Sequence, residues 1–315
     1  MVMHPALLVS LMAAASGPPM IIADQQPPAP SRVTITVSGE KRVIEANGVP
    51  DHKVSRFPNR GNPHEITEQR YRFEVPLKPA PASGPGPARG PGPGSLWGVA
   101  LNGVVFDPGT AEIYNDGDRS SPWRYEALLS NTEMGTTPRI RTGLGLDANH
   151  AHVQPNGAYH YHGLPTLLIE RLSGGEKKMT HVGWAADGYP VYAVYAPARA
   201  EDAASPLRAM KSSYRLKKTA RPGGPDAPSG PPDGSFGLDY EYVAGSGDLD
   251  EFGGRTGPTP EFPKGTYYYV LTEDWPFIPR AHRGTPDPSF SKRMGEGPGG
   301  KAGKKGAPKK KGPPR

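Results

Sequence analysis

Four of the nine histidines lie within thirteen positions, in the segment NHAHVQPNGAYHYHG of residues 149–163. They form two His-x-His pairs, His150 with His152 and His160 with His162, and a Pro-Asn-Gly sequence lies between the pairs. Neutral imidazole is a frequent ligand for transition metals in proteins. The spacing therefore indicates metal binding, provided that the four rings face a common point.

The turn between the two pairs decides where the rings point. Pro155 suits the first central position of a type I turn, Asn156 suits the next, and Gly157 can take the left-handed conformation that closes a three-residue hairpin loop. Gln154 then pairs with Ala158. Continued outward, this register pairs Val153 with Tyr159, His152 with His160, Ala151 with Tyr161, and His150 with His162. All four histidines then share one face, with opposed Cβ atoms about 5 Å apart, and alanine, valine and tyrosine form the other, packing face.

A second register is compatible with the same residues. A type I′ turn at Asn156-Gly157 would pair Pro155 with Ala158 and shift the partner strand by one residue, which sends the two histidine pairs to opposite faces. This register is less favoured because Pro155 would occupy a ladder position from which it cannot donate. A network of histidines, tyrosines and carbonyls without any metal also stays open, although neutral imidazoles facing each other have too few matched donors and acceptors.

The chain has no cysteine, so any metal must be held by nitrogen and oxygen. Imidazole ligands predict Zn(II) or Cu(II), because Ca(II) and Mg(II) prefer oxygen. Four protein ligands would close a zinc site, as in structural sites, whereas three ligands and a water would leave it open for catalysis. The sequence leaves both possibilities open.

Three further residues are candidates for the same chemistry. His181, in THVGWAADGYPVY, is predicted either as an additional ligand or as an ordinary structural histidine. Asp147 would either orient a ligating imidazole or cap a turn. In a metal-dependent hydrolase, Asp147, Asp187 or His181 would act as the base.

Other site types find little support. GDLDEFGG resembles a calcium loop, but Phe252 and Thr259 stand where oxygen ligands are needed, so Asp248, Asp250 and Glu251 are predicted to form a turn and a salt-bridging surface. No G-x-S-x-G, P-loop or dinucleotide glycine fingerprint is present, so serine-hydrolase, kinase and dinucleotide oxidoreductase functions have no local support.

The two ends of the chain differ in composition from the rest. Residues 1–23 are predicted to be a signal peptide, with Ala13 and Ala15 as a small-x-small cleavage site, which indicates a secreted, periplasmic or cell-envelope protein.

From Ser291 onward, nine Lys or Arg residues accompany one acid in a Gly/Pro/Lys sequence. Such a tail cannot bury apolar surface, so residues 286–315 are predicted to be disordered, either as a solubilising tail or as an adhesive for anionic cell-envelope polymer. It lacks interleaved aromatic residues, so no specific nucleic-acid partner is predicted, and no segment reaches transmembrane length.

The central part alternates short apolar segments with turn residues, which predicts a mainly β, antiparallel sandwich or barrel-like domain. A hairpin is expected around Asn47-Gly48, and residues 31–78 are expected to belong to the same domain. Residues 79–95 are a Pro/Gly-rich linker or loop. Strands are expected in QRYRFEVPLKP, LWGVALNGVVFDP, TLLIERL, THVGWAADGYPVYAVY, LDYEYVAG and GTYYYVLTEDWPF, and short helices in SPWRYEALLSN and SPLRAMKSSYRLKK.

GAYHYHGLP, together with LNGVVFDP, VGWAADGYPVY and DYEYVAGSGDLDEFGG, resembles the YHYH-domain family, which takes its name from the motif at Tyr159–His162. The resemblance covers about residues 97 to 285, and residues 96–285 are taken as the domain. It implies an exported protein of a family whose biochemical role is largely unassigned. Two departures stand out. Phe252 and the RAHRG stretch stand where members of the family often have cysteines, and Tyr268 stands where they often have a histidine.

These observations lead to three hypotheses. The first is an exported β-rich protein that binds Zn or Cu through His150, His152, His160 and His162, with His181 as a further candidate, in a binding or structural role. The second is a metal-dependent hydrolase with an open site. The third is an adhesion module that acts through its basic tail.

Overall fold

The structure is a computed structural model, and it describes residues 22–83, 94–114, 121–128 and 143–292. The predicted signal peptide, the Pro/Gly-rich sequence at 84–93 and the basic sequence at 293–315 lie wholly or mostly outside these residues. The division into domains stays a prediction. The described chain remains folded through Lys292, past the boundary predicted at residue 285, because Phe290 is buried and stacks on Phe73.

The protein is mainly β, as predicted. A three-stranded antiparallel sheet, in the order β1-β2-β3, consists of β1 (Val33–Ser38), β2 (Lys41–Ala46) and β3 (Tyr71–Pro76). Ser38 pairs with Lys41, so the hairpin turns at Gly39-Glu40, where Gly39 has a φ of 59°. The predicted hairpin turn at Asn47-Gly48 is therefore wrong, although Gly48 does turn the chain out of β2 with a φ of 64°.

A larger, open sheet of eight strands carries the histidine segment. Its strands are β4 (Gly98–Ala100), β5 (Val105–Phe106), β6 (Ala151–Val153), β7 (Tyr159–Tyr161), β8 (Thr180–Ala185), β9 (Pro190–Ala193), β14 (Gly254–Gly257) and β15 (Thr266–Leu271). They are ordered β14-β15-β9-β8-β4-β5-β7-β6, and the β5-β7 and β9-β15 pairs are parallel. The sheet is thus mixed, and β6 is an edge strand.

Two short strand pairs complete the β structure of the described residues. β10 (Tyr195–Pro197) pairs with β11 (Leu207–Ala209), and β12 (Tyr214–Leu216) pairs with β13 (Tyr240–Tyr242). Both β11 and β12 fall in SPLRAMKSSYRLKK, so the helix predicted there is wrong. Pairing with β10 and β13 overrides the local helical propensity of that sequence.

The described residues contain one α-helix, α1 (Thr166–Ser173), and two short 3₁₀ helices, at Gly237–Asp239 and Pro288–Phe290. The strand predicted in TLLIERL is wrong because this sequence forms α1. Pro165 precedes the helix, and Gly174 ends it with a φ of 67°, its N–H donating to the carbonyl of Glu170. Leu168 is the fully buried contact of α1 with the core.

The helix predicted from Ser121 is also not formed over the described residues 121–128. Arg124 and Tyr125 instead make isolated bridges to Ile113 and Phe236. Ser121 does accept a hydrogen bond at 3.3 Å, but from the N–H of Trp123 in a turn.

The two faces of the eight-stranded sheet bury different residues, because neighbouring side chains of a strand point to opposite sides. One face carries the main core, to which Phe106, Tyr159 and Tyr161 belong and against which α1 packs. On the other face, Val99 and Val105 pack against Ile44 and Phe73 of the three-stranded sheet. In the sequence of β7, His160 stands between Tyr159 and Tyr161, whose side chains belong to the main core. Because side chains alternate along a strand, that of His160 points to the opposite face, towards the three-stranded sheet.

Candidate metal centre

The hairpin formed by β6 and β7 has the register predicted from its loop. The N–H of Gln154 donates to the carbonyl of Ala158 at 2.9 Å, and Gly157 has a φ of 84°. Val153 pairs with Tyr159, His152 with His160, and Ala151 with Tyr161. The competing type I′ register is not formed. The segregation into a histidine face and an apolar face is therefore confirmed for these paired residues.

The tyrosine face is buried and fully hydrogen-bonded. The hydroxyl of Tyr159 donates to Asp147 Oδ2 at 2.7 Å, and neither residue is exposed. The hydroxyl of Tyr161 accepts from Asn102 Nδ2 at 2.9 Å and donates to His52 Nε2 at 2.6 Å, because His52 Nδ1 donates to the carbonyl of Lys53. These contacts fix the back of the hairpin and thereby hold its histidine face in place.

Three histidines converge on that face. His160 Nε2 lies 2.9 Å from His162 Nε2, which lies 3.1 Å from His152 Nε2. One potential ligand atom from each ring lies within 4.8 Å of the others. His160 and His162 are buried, and His152 is partly buried. His152, His160 and His162 are called the histidine triad below.

The backbone sets the protonation of two triad rings. His152 Nδ1 lies 2.7 Å from the carbonyl of Leu144, and His160 Nδ1 lies 3.1 Å from the carbonyl of Ala158. A carbonyl oxygen only accepts, so both Nδ1 atoms carry the proton and both Nε2 atoms present a lone pair. Hydrogen bonds from Nδ1 to carbonyls are the usual way in which a ligating imidazole is oriented.

Burial keeps the triad neutral. Desolvation lowers the pKa of His152 to about 3 and that of His160 to about 3, and it lowers the pKa of His162 well below its ordinary value. The rings also lower one another's pKa, because a charge on one opposes a charge on the next. Neutral imidazole is the form that binds a metal.

Two ion pairs lie near the triad. Asp107, which follows β5, is buried and accepts from Gln154 Nε2 at 2.8 Å and from Lys292 Nζ at 2.6 Å. Arg280 binds Glu126 Oε2 at 2.6 Å. The cations of both pairs contribute to lowering the pKa of His162, whereas Asp107 acts in the opposite direction on His152. The charged residues nearest the triad, which shift the pKa of its rings, are thus residues that the sequence did not single out.

His150 is not part of the triad. Its carbonyl does accept from the N–H of His162 at 2.8 Å, so the backbone pairing extends to this position. However, His150 has a φ of 53°, which is rare for a residue other than glycine and interrupts the alternation of an extended strand. Its Nδ1 donates to the carbonyl of Leu164 at 2.7 Å, on the other side of the bend. The predicted convergence of all four rings is therefore reduced to three.

The remaining candidates are also engaged elsewhere. His181 donates from Nε2 to the carbonyl of Gly183 and packs between Trp184 and Tyr192. Asp147 caps the turn before β6, accepting from the N–H of Asn149 at 2.8 Å. Asp187 is buried and accepts from the hydroxyl of Tyr269 at 2.6 Å. None of the three is a member of the convergent group among the described residues.

The acidic segment after β13 forms a turn, and two of its three carboxylates, those of Asp248 and Asp250, form ion pairs. Asp248 forms an ion pair with Arg208, and Asp250 caps its own turn, accepting from the N–H groups of Phe252 and Gly254 at 3.0 Å. Asp250 also lies 3.5 Å from Arg283. These carboxylates are used within the fold.

The sequence pattern missed two residues on the loop before β3. Asn62 Nδ2 donates to the carbonyl of Val153 at 2.8 Å, and the imidazole of His64 lies close enough to His152 to influence its pKa. A single histidine far along the chain carries no local signal of such proximity. Only the packing of this loop against β6 reveals it.

The model of the family described as YHYH protein matches residues 72–284, about two thirds of the 315 residues. The chain belongs to the YHYH family. The matched region contains the entire histidine triad and Asp107, whereas His52, Asn62 and His64 precede it. Searches of curated proteins and of solved structures gave no significant match.

Tyr268, the position at which the resemblance to the family led us to expect a histidine, is on β15 and is not a neighbour of the triad in the sheet. It is buried against Tyr192 on β9, and its hydroxyl accepts from Arg255 Nε at 2.8 Å. The replacement consequently leaves the three converging imidazoles unchanged.

No helix within the described residues combines the length and the hydrophobicity needed to cross a membrane.

Proposed function

We propose that this YHYH protein binds one divalent transition metal ion, zinc or copper, through the Nε2 atoms of His152, His160 and His162, in a binding or structural role. The observation that carries the proposal is the convergence of three neutral imidazoles, two of them buried and one partly buried, with Nε2 separations of 2.9 and 3.1 Å. The ion would supply a positive charge that all three lone pairs can share.

A hydrogen-bond network without a metal would leave the triad unsatisfied. If His162 carries its proton on Nε2, its buried Nδ1 has no donor, since that atom has no partner within the described parts of the chain. If the proton is on Nδ1, that N–H has no acceptor and three lone pairs point at one another. With a metal at Nε2 the proton of His162 is on Nδ1 in any case, so the advantage of the metal lies in the three Nε2 lone pairs, which the ion binds. Binding at Nε2 removes the repulsion of the three lone pairs.

The spacing suits a small tetrahedral ion. Zinc–nitrogen bonds of about 2.0–2.1 Å place tetrahedral ligands about 3.3–3.4 Å apart. The separations of 2.9 and 3.1 Å require only a small outward movement of the rings. An all-nitrogen donor set favours zinc or copper over calcium and magnesium.

The geometry favours binding over hydrolysis. Asp147, Asp187 and His181, the candidate bases, are held by Tyr159, Tyr269 and the backbone of Gly183. A base must reach a water near the ion to act. We therefore place the metal in a binding or structural role.

Export is part of the proposal and rests on the N-terminal sequence, whose apolar stretch ends at a small-x-small site. The terminal residue of the mature protein, recovered from the cell envelope or the medium, tests it. Adhesion through the basic sequence 293–315 rests on its charge alone, and it is tested by binding of the full and truncated chains to anionic polymer.

Metal content is the direct test of the triad. We expect purified wild-type protein to bind one equivalent of zinc or copper at pH 7.5, and His160→Gln to bind none under the same conditions. His152→Gln, which alters the partly exposed member of the triad, provides a second variant less prone to misfolding. His150→Gln is the matched control and should retain the metal, because His150 points to Leu164. Wild-type protein that binds neither metal, with unchanged melting after either is added, would overturn the proposal.

A further inference from the structure

The loop of residues 59–67 is hydrogen-bonded at both of its ends to segments that lie beside the histidine triad. Asn59 Nδ2 donates to the carbonyl of Gly145 at 3.1 Å, next to Leu144, which orients His152. At the other end, the N–H of Thr67 donates to the carbonyl of Gly157 in the hairpin loop at 2.9 Å. Ile66 is buried in the main core together with Val153. The loop is therefore a fixed neighbour of β6.

His64 lies between these attachments. Asn62, two residues before it, reaches Val153 with its amide at 2.8 Å and lies 3.5 Å from His152 Nδ1. The loop thus brings a fourth ring to the edge of the triad.

The polar atoms of this loop are incompletely satisfied. His64 Nε2 and Asn62 Oδ1 are both buried and have no hydrogen-bond partner among the described residues. Most buried polar atoms in proteins have a partner, and an exception calls for one that is absent, such as an ion. The unpartnered nitrogen of His64 is the same ring atom that the triad presents.

We propose that His64 Nε2 is the fourth protein ligand of the metal held by the histidine triad. The inference rests on the proposed function of the triad. His64 lies outside the group of atoms within 4.8 Å of one another, so binding requires its side chain to turn towards the triad. The resulting set of four imidazoles is closed, which is the arrangement of a structural zinc site.

A closed site has a consequence for the fold. His64 precedes β3, whereas the triad lies on β6, on β7 and directly after β7, so one ion would cross-link segments that are remote in sequence. His64 also lies before residue 72, where the family match begins.

Cobalt(II) is a suitable probe, because its visible spectrum reports the number and geometry of its ligands. We expect wild-type protein to take up one equivalent of Co(II), with a four-coordinate spectrum that azide does not change. His64→Ala should bind Co(II) at least tenfold more weakly, and azide should change its spectrum because one position is open. His64→Gln repeats the test with a side chain of similar polarity, and Glu65→Ala, an exposed neighbour, is the control expected to match wild type.

The outcomes separate the two proposals. Uptake by wild type with the same affinity and the same azide response in His64→Ala would overturn His64 as a ligand and leave the triad standing. Absence of uptake by wild type would overturn the triad, and the fourth ligand with it. Melting of the metal-free variants is measured alongside, so that a loss of folding is recognised by its effect on the apo protein.

Discussion

His152 and His160 occupy directly opposed positions of β6 and β7, with their ring centroids 4.7 Å apart. This relationship depends on the three-residue loop that joins the strands, because a slip of one residue would move His160 to the tyrosine face. The loop itself depends on Gly157, whose φ of 84° is disfavoured for other residues. Metal binding is thereby linked to one backbone conformation.

Substitution of Gly157 by alanine should therefore impair both stability and metal binding. A Cβ at this position would lie 1.9 Å from Thr67 Oγ1, in addition to the strain of the positive φ. We expect Gly157→Ala to lower the free energy of unfolding by about 2–4 kcal/mol, since strain and steric overlap add. Urea unfolding of the metal-free protein measures the loss, and zinc titration measures the affinity.

Gly174, at the end of α1, is the matched control. It also has a positive φ, of 67°, but a Cβ there would meet nothing within 4 Å. Gly174→Ala should cost about 1 kcal/mol, because alanine is disfavoured at a positive φ, and should leave zinc affinity unchanged. Equal losses in the two variants would show that contact with Thr67 has no role.

The sequence predicted the hairpin register because that register depends on local backbone preferences. Pro155, Asn156 and Gly157 each accept only a few conformations, and together they select one loop. Once the loop is fixed, period-two alternation places His152 and His160 on one face and Tyr159 on the other. The mainly β class followed from the same local alternation in the other strands.

The rest depended on tertiary packing. His150 takes a positive φ that no rule for an ordinary residue predicts, and this bend removes it from the triad. The apolar run of α1 suggested a strand, although its leucines, Glu170 and Arg171 are good helix formers and Pro165 and Gly174 mark the ends of a helix. His64 could not be placed near His152 from the sequence, because the contact requires the loop before β3 to fold against β6.

The stability of the metal-free protein should fall in mildly acidic solution. The pKa values of His152 and His160 are about 3 in the folded protein, against an ordinary value of 6.5. As the pH falls below 6.5, the unfolded chain binds protons that the folded protein does not, so the free energy of unfolding decreases until the pH reaches about 3. Each histidine contributes up to about 1.4 kcal/mol per pH unit in this window. Above pH 6.5 these groups produce no slope.

Urea unfolding at pH 7.5, 6.0 and 5.0 measures this dependence, and His160→Gln isolates the contribution of one ring. The slope between pH 6.0 and 5.0 should be smaller in the variant than in wild type. Buried carboxyls such as Asp147, whose pKa is raised by desolvation, act in the opposite direction and are common to both proteins. Parallel pH profiles would contradict a neutral, buried His160.

Removal of the Tyr159 hydroxyl should destabilise the hairpin from its tyrosine face. Tyr159→Phe deletes the 2.7 Å donor to the buried Asp147 and leaves Oδ2 of that carboxylate with weaker partners. We expect a loss of about 1.5–3 kcal/mol, as for a buried hydrogen bond to a charged group. Tyr214→Phe, which removes an exposed hydrogen bond to the Glu251 carbonyl, is the control and should lose less than about 1 kcal/mol. A loss no larger in Tyr159→Phe than in this control would contradict the role of Asp147 as a buried acceptor.

Asp107 and Lys292 should tune metal affinity in opposite directions. Their ion pair, with an Nζ–Oδ2 distance of 2.6 Å, lies within electrostatic range of the triad: Lys292 lowers the pKa of His160, and Asp107 opposes the lowering at His152. Asp107→Asn removes a negative charge and leaves the lysine cation near the site, so zinc binding should weaken, by on the order of tenfold, because the charge acts on the ion through space. Lys292→Gln removes the positive charge and should strengthen binding.

Both variants also break the ion pair. If that only destabilised the fold, zinc binding would weaken in both variants. Competition titrations at low ionic strength, where electrostatic effects are least screened, distinguish opposite shifts from a common decrease.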